Sequence, residues 1–501
     1  MNVILIQIDS LCRHFLPPYG NLWVQAPNLS DFASRGVVFD HHYTGSLPCM
    51  PARREIWSGS EEFWWRGWGP LEPWDLPIAH LAGLAGIHSQ LVTDHYHFFE
   101  WGAHSYHHDF EGYRFIRGHE HDNWKTEPIR EVPDWAKKMM EVRPADAPIY
   151  LRNVQHFTKE EDFFSPRTFA AAAEWLEANA DQDRFYLHVD SFDVHEPFHI
   201  PDPYRSMYTD ADYHKYNPWP LYGRVDAGPS ALNPDEVEWI RAQFVGKLTM
   251  VDKWVGRLFE VMDRRKLWDR TAVIVTTDHG HYLGDHGWIG KPNAPCYHTL
   301  CHIPLLVWHP GGLKGGARTS AITQTVDLYA TVLDLLGVSK PQSSNIHSRS
   351  FAPVILGQRE KHRDYAFYGY FGQQTAVSDD RWTFIRSHKP EAAPLFQRTL
   401  EMQVLNRSWG CRTARNRLLG NPAMEASHTV PGIELPVWKV PVHGGATQLF
   451  EDQLFDNQED PDQSANQTGL HREEVERLTE RLRKHMLEVG APEEQFARLS
   501  L

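Results

Sequence analysis

Four short apolar runs, separated by helical patterns, constrain the fold of this chain more than any other feature. They cover residues 3–8, 89–92, 185–189 and 271–277. Short apolar runs bounded by polar or Gly/Pro residues are typical of strands in a parallel sheet that helices cover on both faces. The sequence therefore predicts an α/β fold with a large, mostly parallel sheet sandwiched by helices.

Each of the four runs stops at acidic or histidine side chains. Asp9 follows the first run, Asp94 the second, Asp190 the third and Asp278 the fourth. Because ligands of open α/β sheets bind outside the carboxyl ends of the strands, we expect these groups along one edge. Aspartate is also a common turn residue, which would explain any single ending. Four such endings together favour a shared site.

The chain is long enough for two domains, since 501 residues exceed the size at which one hydrophobic core usually stops growing. Helical patterns lie at 28–34, 166–178, 235–262 and 325–336. After about residue 360 the pattern changes to short strands at 365–370, 382–386 and 448–455, followed by the amphipathic segment HREEVERLTERLRKHMLEV.

These patterns predict an α/β/α catalytic domain over residues 1–362 and a smaller C-terminal α+β subdomain over residues 363–501. The subdomain would contain an antiparallel sheet and one helix. Residues 387–447 show little periodicity and are predicted to form long loops.

Charge and hydropathy exclude two classes of partner. The net charge of −15 argues against a general nucleic-acid binder, which would show a basic footprint. No apolar stretch is long enough to span a bilayer, so no membrane is expected as a partner. The opening MNVILIQIDS shows no basic leader or cleavage site, from which we expect a cytoplasmic protein.

The cysteine and tryptophan residues indicate neither a disulfide-stabilised fold nor a structural metal site. The cysteines lie at positions 12, 49, 296, 301 and 411, an odd number without CxxC spacing, so neither a disulfide framework nor a zinc ribbon is expected. The Trp-rich segment EEFWWRGWGPLEPW favours buried aromatic packing, with a sugar-stacking surface as the alternative.

The segment LPCMPARR at 47–54 is the most informative for chemistry. Cys49 is placed where the chain would enter a helix, with Pro51 in the first turn and Arg53 one turn later. A helix N-terminus favours an anion and would lower the pKa of a cysteine. The segment therefore fits an anion-handling site, and it equally fits a buried, inert cysteine.

Residues 49–53, CMPAR, also match the Cys-x-Pro-x-Arg signature of the sulfatase family, and the chain resembles that family over most of its length. TTDHGHYLGDHGWIGK resembles the family's second metal motif with its lysine, and HVDSFDVHEPF resembles the strand that carries its leaving-group histidine. The resemblance implies a sulfuric ester hydrolase that acts through a formylglycine made by oxidation of Cys49.

The resemblance also implies a divalent metal ion at that residue. Asp9, Asp278 and His279 would bind the ion together with the formylglycine made from Cys49. Oxygen ligands with one imidazole favour manganese or calcium, with zinc or magnesium as alternatives. The ion would lower the pKa of a hydroxyl of the hydrated aldehyde and polarise the sulfate oxygens.

The remaining site residues follow from the same resemblance. Arg53 would hold the formylglycine, and Lys291 would contact the sulfate. His195 would bind substrate and protonate the departing alkoxide, as suits a group with a pKa near neutrality. In the segment at 93–97, TDHYH, His97 would contact the formylglycine, and His95 would replace a lysine that binds substrate in the family.

The sequence departs from the family at Asp9-Ser10, where many sulfatases carry two aspartates. That departure, with His279, keeps open a phosphonate monoester hydrolase or phosphodiesterase of the same alkaline phosphatase superfamily, or an enzyme promiscuous between the two activities. Two weaker alternatives are a two-metal phosphatase or mutase and a catalytically inactive binding protein. The expected partners are a small-molecule or saccharide sulfate ester and, during maturation, a formylglycine-generating enzyme; the sequence leaves homo-oligomerisation open.

Overall fold

The computed structural model describes the 501-residue chain except for residues 101–104, 293, 390, 392–393, 402–422, 427–428 and 443–449. Cys411 and the start of the strand predicted at 448–455 lie outside the described residues. The strands are β1 Asn2–Ile8, β2 Val37–Phe39, β3 His42–Tyr43, β4 Ser46–Leu47, β5 His88–Thr93, β6 Gly112–Phe115, β7 Phe185–Ser191, β8 Gly223–Arg224, β9 Thr271–Thr276, β10 Tyr282–Leu283, β11 Trp288–Gly290, β12 Leu305–Trp308, β13 Ala317–Thr319, β14 Thr323–Gln324, β15 Ala366–Tyr370, β16 Thr375–Ser378, β17 Trp382–Arg386, β18 Leu395–Thr399, β19 Ala423–Glu425, β20 Val437–Val442 and β21 Gln453–Asp456.

The helices lie mainly between the strands of the first 340 residues. They are α1 Pro27–Arg35, α2 Cys49–Ser58, α3 Ile78–Leu84, α4 Asp134–Val142, α5 Ala147–Val154, α6 Phe164–Asn179, α7 Pro234–Arg264, α8 His298–Cys301, α9 Asp327–Leu336, α10 Ala352–Ile355, α11 Arg472–Val489 and α12 Glu493–Leu499. The patterns that predicted α1, α6, α7 and α9 are confirmed. The long α7 begins sharply because Pro234 occupies its first turn and Asn233 forms a capping box with Glu236.

The main sheet has eight strands in the order β13-β2-β12-β9-β1-β7-β5-β6. All neighbouring pairs are parallel except those that β12 makes with β9 and β2. The predicted large, mostly parallel sheet is confirmed. The four predicted strands lie side by side as β9, β1, β7 and β5. The short strands on either side of them, β13, β2 and β12 on one side and β6 on the other, were not predicted.

Helices cover both faces of this sheet, as its sequence pattern predicts. In β1, Ile4, Ile6 and Ile8 pack into one core with residues of α1 and α4 to α7. Val3 and Leu5 face the opposite side and pack with residues of α2, α3, α9 and α10. Side chains alternate across a strand, so one apolar run serves two helical layers.

The C-terminal part contains a five-stranded sheet in the order β21-β17-β16-β15-β4, on which α11 packs through Leu478, Leu482 and Met486. The predicted antiparallel sheet and its helix are therefore present, and a second short helix, α12, was not predicted. The prediction that residues 387–447 form only loops is wrong, because β18, β20 and β19 form a three-stranded antiparallel sheet there. Strands of three to six residues leave too little periodicity to detect.

The strand β4 connects the two parts of the chain. Ser46 and Leu47, just before Cys49, pair in parallel with Gly369 and Tyr370 of β15. The sheet of the C-terminal part thus includes two residues from the segment that leads into α2. The domain boundary between residues 362 and 363 stays a prediction.

The structure also tests the expectations for the tryptophans, the cysteines and membrane-spanning helices. Trp64, Trp65 and Trp68 are buried, which confirms aromatic packing for the Trp-rich segment. The described cysteines, at 12, 49, 296 and 301, are buried and free of disulfides. Within the part of the chain that the structure describes, every helix is too short or too polar to cross a bilayer.

Candidate active site

The carboxyl ends of β5, β7, β1 and β9 bring acidic side chains to one edge of the main sheet. Asp94 directly follows β5, Asp190 lies near the end of β7, Asp9 directly follows β1, and Asp278 lies two residues after β9. All four carboxyl groups are buried. The predicted shared edge is confirmed, and it follows from the parallel register of neighbouring strands.

Arg53, in the second turn of α2, binds three of these carboxylates and is itself fully buried. Its Nε and Nη2 each donate to an oxygen of Asp190 at 2.8 Å. Nη1 donates to Asp278 Oδ2 at 2.5 Å, and Nη2 lies 3.0 Å from Asp9 Oδ2. A planar guanidinium has five N–H groups and can bind one carboxylate with two parallel hydrogen bonds while contacting others. Arg53 therefore fixes the beginning of α2 against the strand ends.

Cys49 is the first residue of α2, and its side chain is directed at this acidic edge. Its Sγ lies 3.2 Å from His279 Nε2 and 3.5 Å from Lys291 Nζ. The prediction that the helix start lowers the pKa of the thiol is wrong. Burial raises the pKa of Cys49 well above its ordinary value, and Asp9 raises it further. These surroundings favour the neutral thiol, which is a poor nucleophile, unless a cation binds beside it.

One cluster of side chains fits a divalent cation. The candidate ligand atoms of Asp9, Cys49, Asp278 and His279 all lie within 4.8 Å of one another and are buried. His279 Nδ1 donates to the carbonyl oxygen of Gly280 at 2.8 Å, which leaves its Nε2 lone pair directed at Cys49. A metal-bound imidazole ordinarily has its second nitrogen fixed in this way.

The electrostatics of the two aspartates agree with such a cation. Burial raises the pKa of Asp9 well above its ordinary value, and the Asp278 carboxylate raises it further. Burial would also raise the pKa of Asp278, but His279, Arg53 and Lys291 together lower it. Asp9 Oδ2 forms an ion pair with Arg53, but no contact among the described residues meets the geometry of a hydrogen bond. A divalent cation would add positive charge beside the two carboxylates and use this free lone pair.

Lys291 and His95 flank the same carboxylate. Lys291 Nζ donates to Ser10 Oγ at 3.3 Å and lies 3.9 Å from Asp9 Oδ1, in addition to its contact with Cys49. His95 Nε2 lies 3.6 Å from Asp9 Oδ2, and neither of its ring nitrogens has a hydrogen-bond partner among the described residues. Both side chains therefore present cationic or hydrogen-bonding groups beside Cys49, where an anionic substrate would lie.

His97 lies farther out than His95. Its Nδ1 lies 3.1 Å from Glu100, and its Nε2 lies 3.8 Å from Glu120. The histidine rings of 95 and 97 are 5.2 Å apart. The structure thus brings His95 next to Asp9 and directs His97 at acidic side chains, and the assignment of His97 as the contact of residue 49 stays a prediction.

His195 is held from two sides by residues distant in the sequence. Its Nδ1 donates to the carbonyl oxygen of Glu196 at 2.8 Å and lies 3.2 Å from Glu120 Oε1. Its Nε2 lies 3.4 Å from the hydroxyl of Tyr222. Burial lowers the pKa of His195 well below its ordinary value, and Lys291 lowers it further. A histidine that is to donate a proton here depends on neighbouring carboxylates for its charge.

Lys247, which contacts the segment around His195, was not predicted from the sequence. Lys247 of α7 donates to the carbonyl oxygens of His195 and Pro197 at 2.7 and 3.0 Å and pairs with Asp193 at 2.5 Å. A lysine inside a long amphipathic helix resembles a surface residue, so no local signal marked it. Asp193 and Glu196, which flank His195 in the sequence, did have a local signal.

The chain is similar to known proteins both in sequence and in fold. A family model described as Sulfatase matches residues 1–338, and one described as N-sulphoglucosamine sulphohydrolase, C-terminal, matches residues 284–397. The chain is 23% identical over 394 residues to the arylsulfatase of Clostridium perfringens, covering 73% of this chain and 80% of that protein.

Two solved structures have a similar fold. The phosphonate monoester hydrolase of Agrobacterium radiobacter matches with a TM-score of 0.66 and 19% identity, over 98% of this chain and 95% of that one. A chain solved in complex with its substrate D-glucosamine-2-N,6-O-disulfate matches with a TM-score of 0.63 and 16% identity, over 99% of both chains.

Proposed function

Since the chain belongs to the sulfatase family and is a sulfuric ester hydrolase, we propose that it cleaves a sulfate monoester through a formylglycine made from Cys49. Asp9, Asp278 and His279 would hold one divalent cation beside that residue. The observation that carries the proposal is the placement of Cys49 Sγ, 3.2 Å from His279 Nε2 and 3.5 Å from Lys291 Nζ, inside a cluster of buried candidate metal ligands.

Each protein side chain then has a defined task. When bound, the cation would act as a Lewis acid toward sulfate oxygens and lower the pKa of a hydroxyl on residue 49. Arg53 neutralises the carboxylates and donates to the carbonyl oxygen of Cys49 at 3.3 Å. Lys291 balances the charge of the sulfate, which is the electrostatic part of catalysis. Burial lowers the pKa of His95 well below its ordinary value, so its neutral ring offers a hydrogen bond rather than a charge. His195 holds the proton for the departing alkoxide.

The substrate would be a small-molecule or saccharide sulfate ester. A saccharide is supported by the fold shared with the chain that was solved with a sulfated glucosamine. Maturation by a formylglycine-generating enzyme, a cytoplasmic location and the oligomeric state stay predictions.

The proposal is tested by comparing three substrates on the purified enzyme: an aryl sulfate, a phenylphosphonate monoester and a phosphodiester. We expect kcat/KM to be highest for the aryl sulfate. A phosphonate monoester hydrolase is the second candidate, because the neutral Ser10 follows Asp9 where many sulfatases have a second acid, so the site carries one negative charge less. A higher kcat/KM on the phosphonate would support that candidate and contradict the first.

We expect removal of the metal to abolish activity and manganese or calcium to restore it. The number of bound ions is the more direct measurement. Elemental analysis of the wild type should give one divalent ion per chain, and Asp278→Asn should give much less than one, because this change removes a charged ligand from a buried site. Asp181→Asn is the control, since that carboxylate is exposed and paired with Arg265. One ion per chain retained in Asp278→Asn would contradict the assigned ligand set.

A further inference from the structure

Tyr222 and Glu196 form a hydrogen-bonded pair beside the Nε2 atom of His195. Tyr222 donates a hydrogen bond to Glu196 Oε1, and its hydroxyl oxygen lies 3.4 Å from His195 Nε2. Glu196 is buried to 1% exposure, and its second oxygen accepts no hydrogen bond from the described residues. His195, Tyr222 and Glu196 therefore form one continuous line of hydrogen-bonding atoms.

The ring nitrogens of His195 have distinct roles in this line. Nδ1 donates to the carbonyl oxygen of Glu196, so Nδ1 carries a proton in both the neutral and the charged ring. Nε2 carries a proton only in the imidazolium, and it faces Tyr222 rather than a backbone group. The proton that leaves for an alkoxide is therefore the one on Nε2, and Tyr222 is the described hydroxyl beside it.

Gly290, the last residue of β11 and the neighbour of Lys291, leaves space for the ring of Tyr222. Gly290 has a φ of +81°, and a Cβ atom there would collide with the ring of Tyr222. The ring also lies 5.9 Å from the ammonium of Lys291. The ring of Tyr222 therefore fits between Lys291, which would contact the sulfate, and His195.

We propose that Tyr222 and Glu196 are positioning residues that resupply the proton of His195. When the S–O bond breaks, its electron pair goes to the alcohol oxygen, which takes the proton from His195 Nε2. For this step Glu196 is in its carboxylic acid form, and its O–H donates to the Tyr222 oxygen, the reverse of the hydrogen bond that the carboxylate accepts. The neutral ring takes the Tyr222 hydroxyl proton at Nε2 as the tyrosine oxygen takes the Glu196 proton. One proton has then moved from Glu196 to the alcohol, and the buried carboxylate regains one from solvent through the partly exposed Tyr222 before the next turnover.

The charged groups around His195 fit this relay better than a second metal ion. Glu120, Glu196, Lys291, His119 and His281 face the ring. Ligand atoms of Glu120, His195 and Glu196 lie within 4.8 Å of one another, as in a metal site. However, the Nδ1 atom in that group already donates to a carbonyl oxygen, so it has no lone pair for a cation. Glu120 also pairs with His121 and accepts a hydrogen bond from Tyr96. Among the described residues, Glu196 has no lysine or arginine within 4.0 Å, so its carboxyl group can serve His195 through Tyr222.

The test compares Tyr222→Phe with the wild type on sulfate esters whose alcohols differ in pKa. The proposal rests on the proposed function. Because proton delivery matters most for a poor leaving group, we expect kcat to fall about tenfold or more for an alkyl sulfate and less than about twofold for p-nitrophenyl sulfate. Tyr208→Phe is the matched control, because that hydroxyl bonds Thr249 and Gln25 outside the site. An equal loss on all esters, or no loss on the alkyl ester, would overturn the relay.

Glu196→Gln provides a second test that does not depend on Tyr222→Phe folding well. If the two residues act in one line, the double variant Tyr222→Phe/Glu196→Gln loses no more activity on the alkyl ester than the more impaired single variant. Losses that multiply would contradict the relay. If the wild type prefers phosphonate monoesters, the proposed function fails, and the same alcohol series of phosphonates still tests the relay.

Discussion

Cys49→Ser is expected to lower the steady-state kcat by about a thousandfold or more while leaving the fold intact. A hydrated aldehyde has two hydroxyl groups on one carbon, so one can carry the sulfuryl group and the other can expel it. A serine has one, so the protein would release at most one equivalent of alcohol and then stop. The measurement is product per chain over time, with peptide mass spectrometry verifying that residue 49 is serine in the variant and formylglycine in the wild type.

Cys301→Ser is the matched control for that experiment. Cys301 is also buried and free but packs in a different cluster from Cys49, with Tyr282 and Leu300. It should retain turnover, and both variants should keep the far-UV circular dichroism of the wild type. Near-normal multiple turnover by a verified Cys49→Ser protein would contradict the mechanism.

Arg53→Met is expected to destabilise the protein by about 3–5 kcal/mol and to abolish activity, because it removes the only guanidinium that contacts Asp9, Asp190 and Asp278 within the described residues. Three buried carboxylates would then lie together without their common partner. The free energy of unfolding can be measured from urea denaturation at fixed metal concentration.

Two variants separate this effect from a general loss of charge. Arg53→Lys keeps the charge but cannot bind Asp190 with two parallel hydrogen bonds, so an intermediate loss is expected. Arg35→Met removes a guanidinium that pairs with Asp31 on the surface and should cost less than about 1 kcal/mol. A loss for Arg53→Met as small as that for Arg35→Met would show that the carboxylates are compensated in another way.

The sequence predicted the centre of the sheet because each of its strands contains apolar residues beside a polar ending. Strands β1 and β9 are mostly apolar, whereas β5 and β7 mix apolar and polar side chains, and all four are buried apart from His88 at the start of β5. Each strand ends at or just before a polar residue. Strands β2 and β12 have three and four residues, which is too short for a pattern. The same reason explains the sheet missed within residues 387–447.

The candidate site was predictable where its residues lie in motifs and not where they come from irregular segments. Asp9, Cys49, Asp278, His279 and Lys291 belong to strand ends or to the family signatures, and the structure brings them together. Glu120 and Tyr222 lie in segments without periodicity, 75 and 27 residues from His195 respectively, and no spacing relates them to it. His281 had a weak signal, since it lies two residues after His279 in DHGH.

The pairing of β4 with β15 limits the period during synthesis in which the proposed oxidation of Cys49 could take place. Ser46 and Leu47 acquire their partners Gly369 and Tyr370 only after the ribosome has made more than two thirds of the chain, and Cys49 is then only 3% exposed. Domains form during synthesis from the N-terminal end. Under the proposed maturation, an oxidising enzyme that must bind the segment around Cys49 would compete with the arrival of the later strand. Slower translation between the two segments should then raise the fraction of chains that leave the ribosome modified.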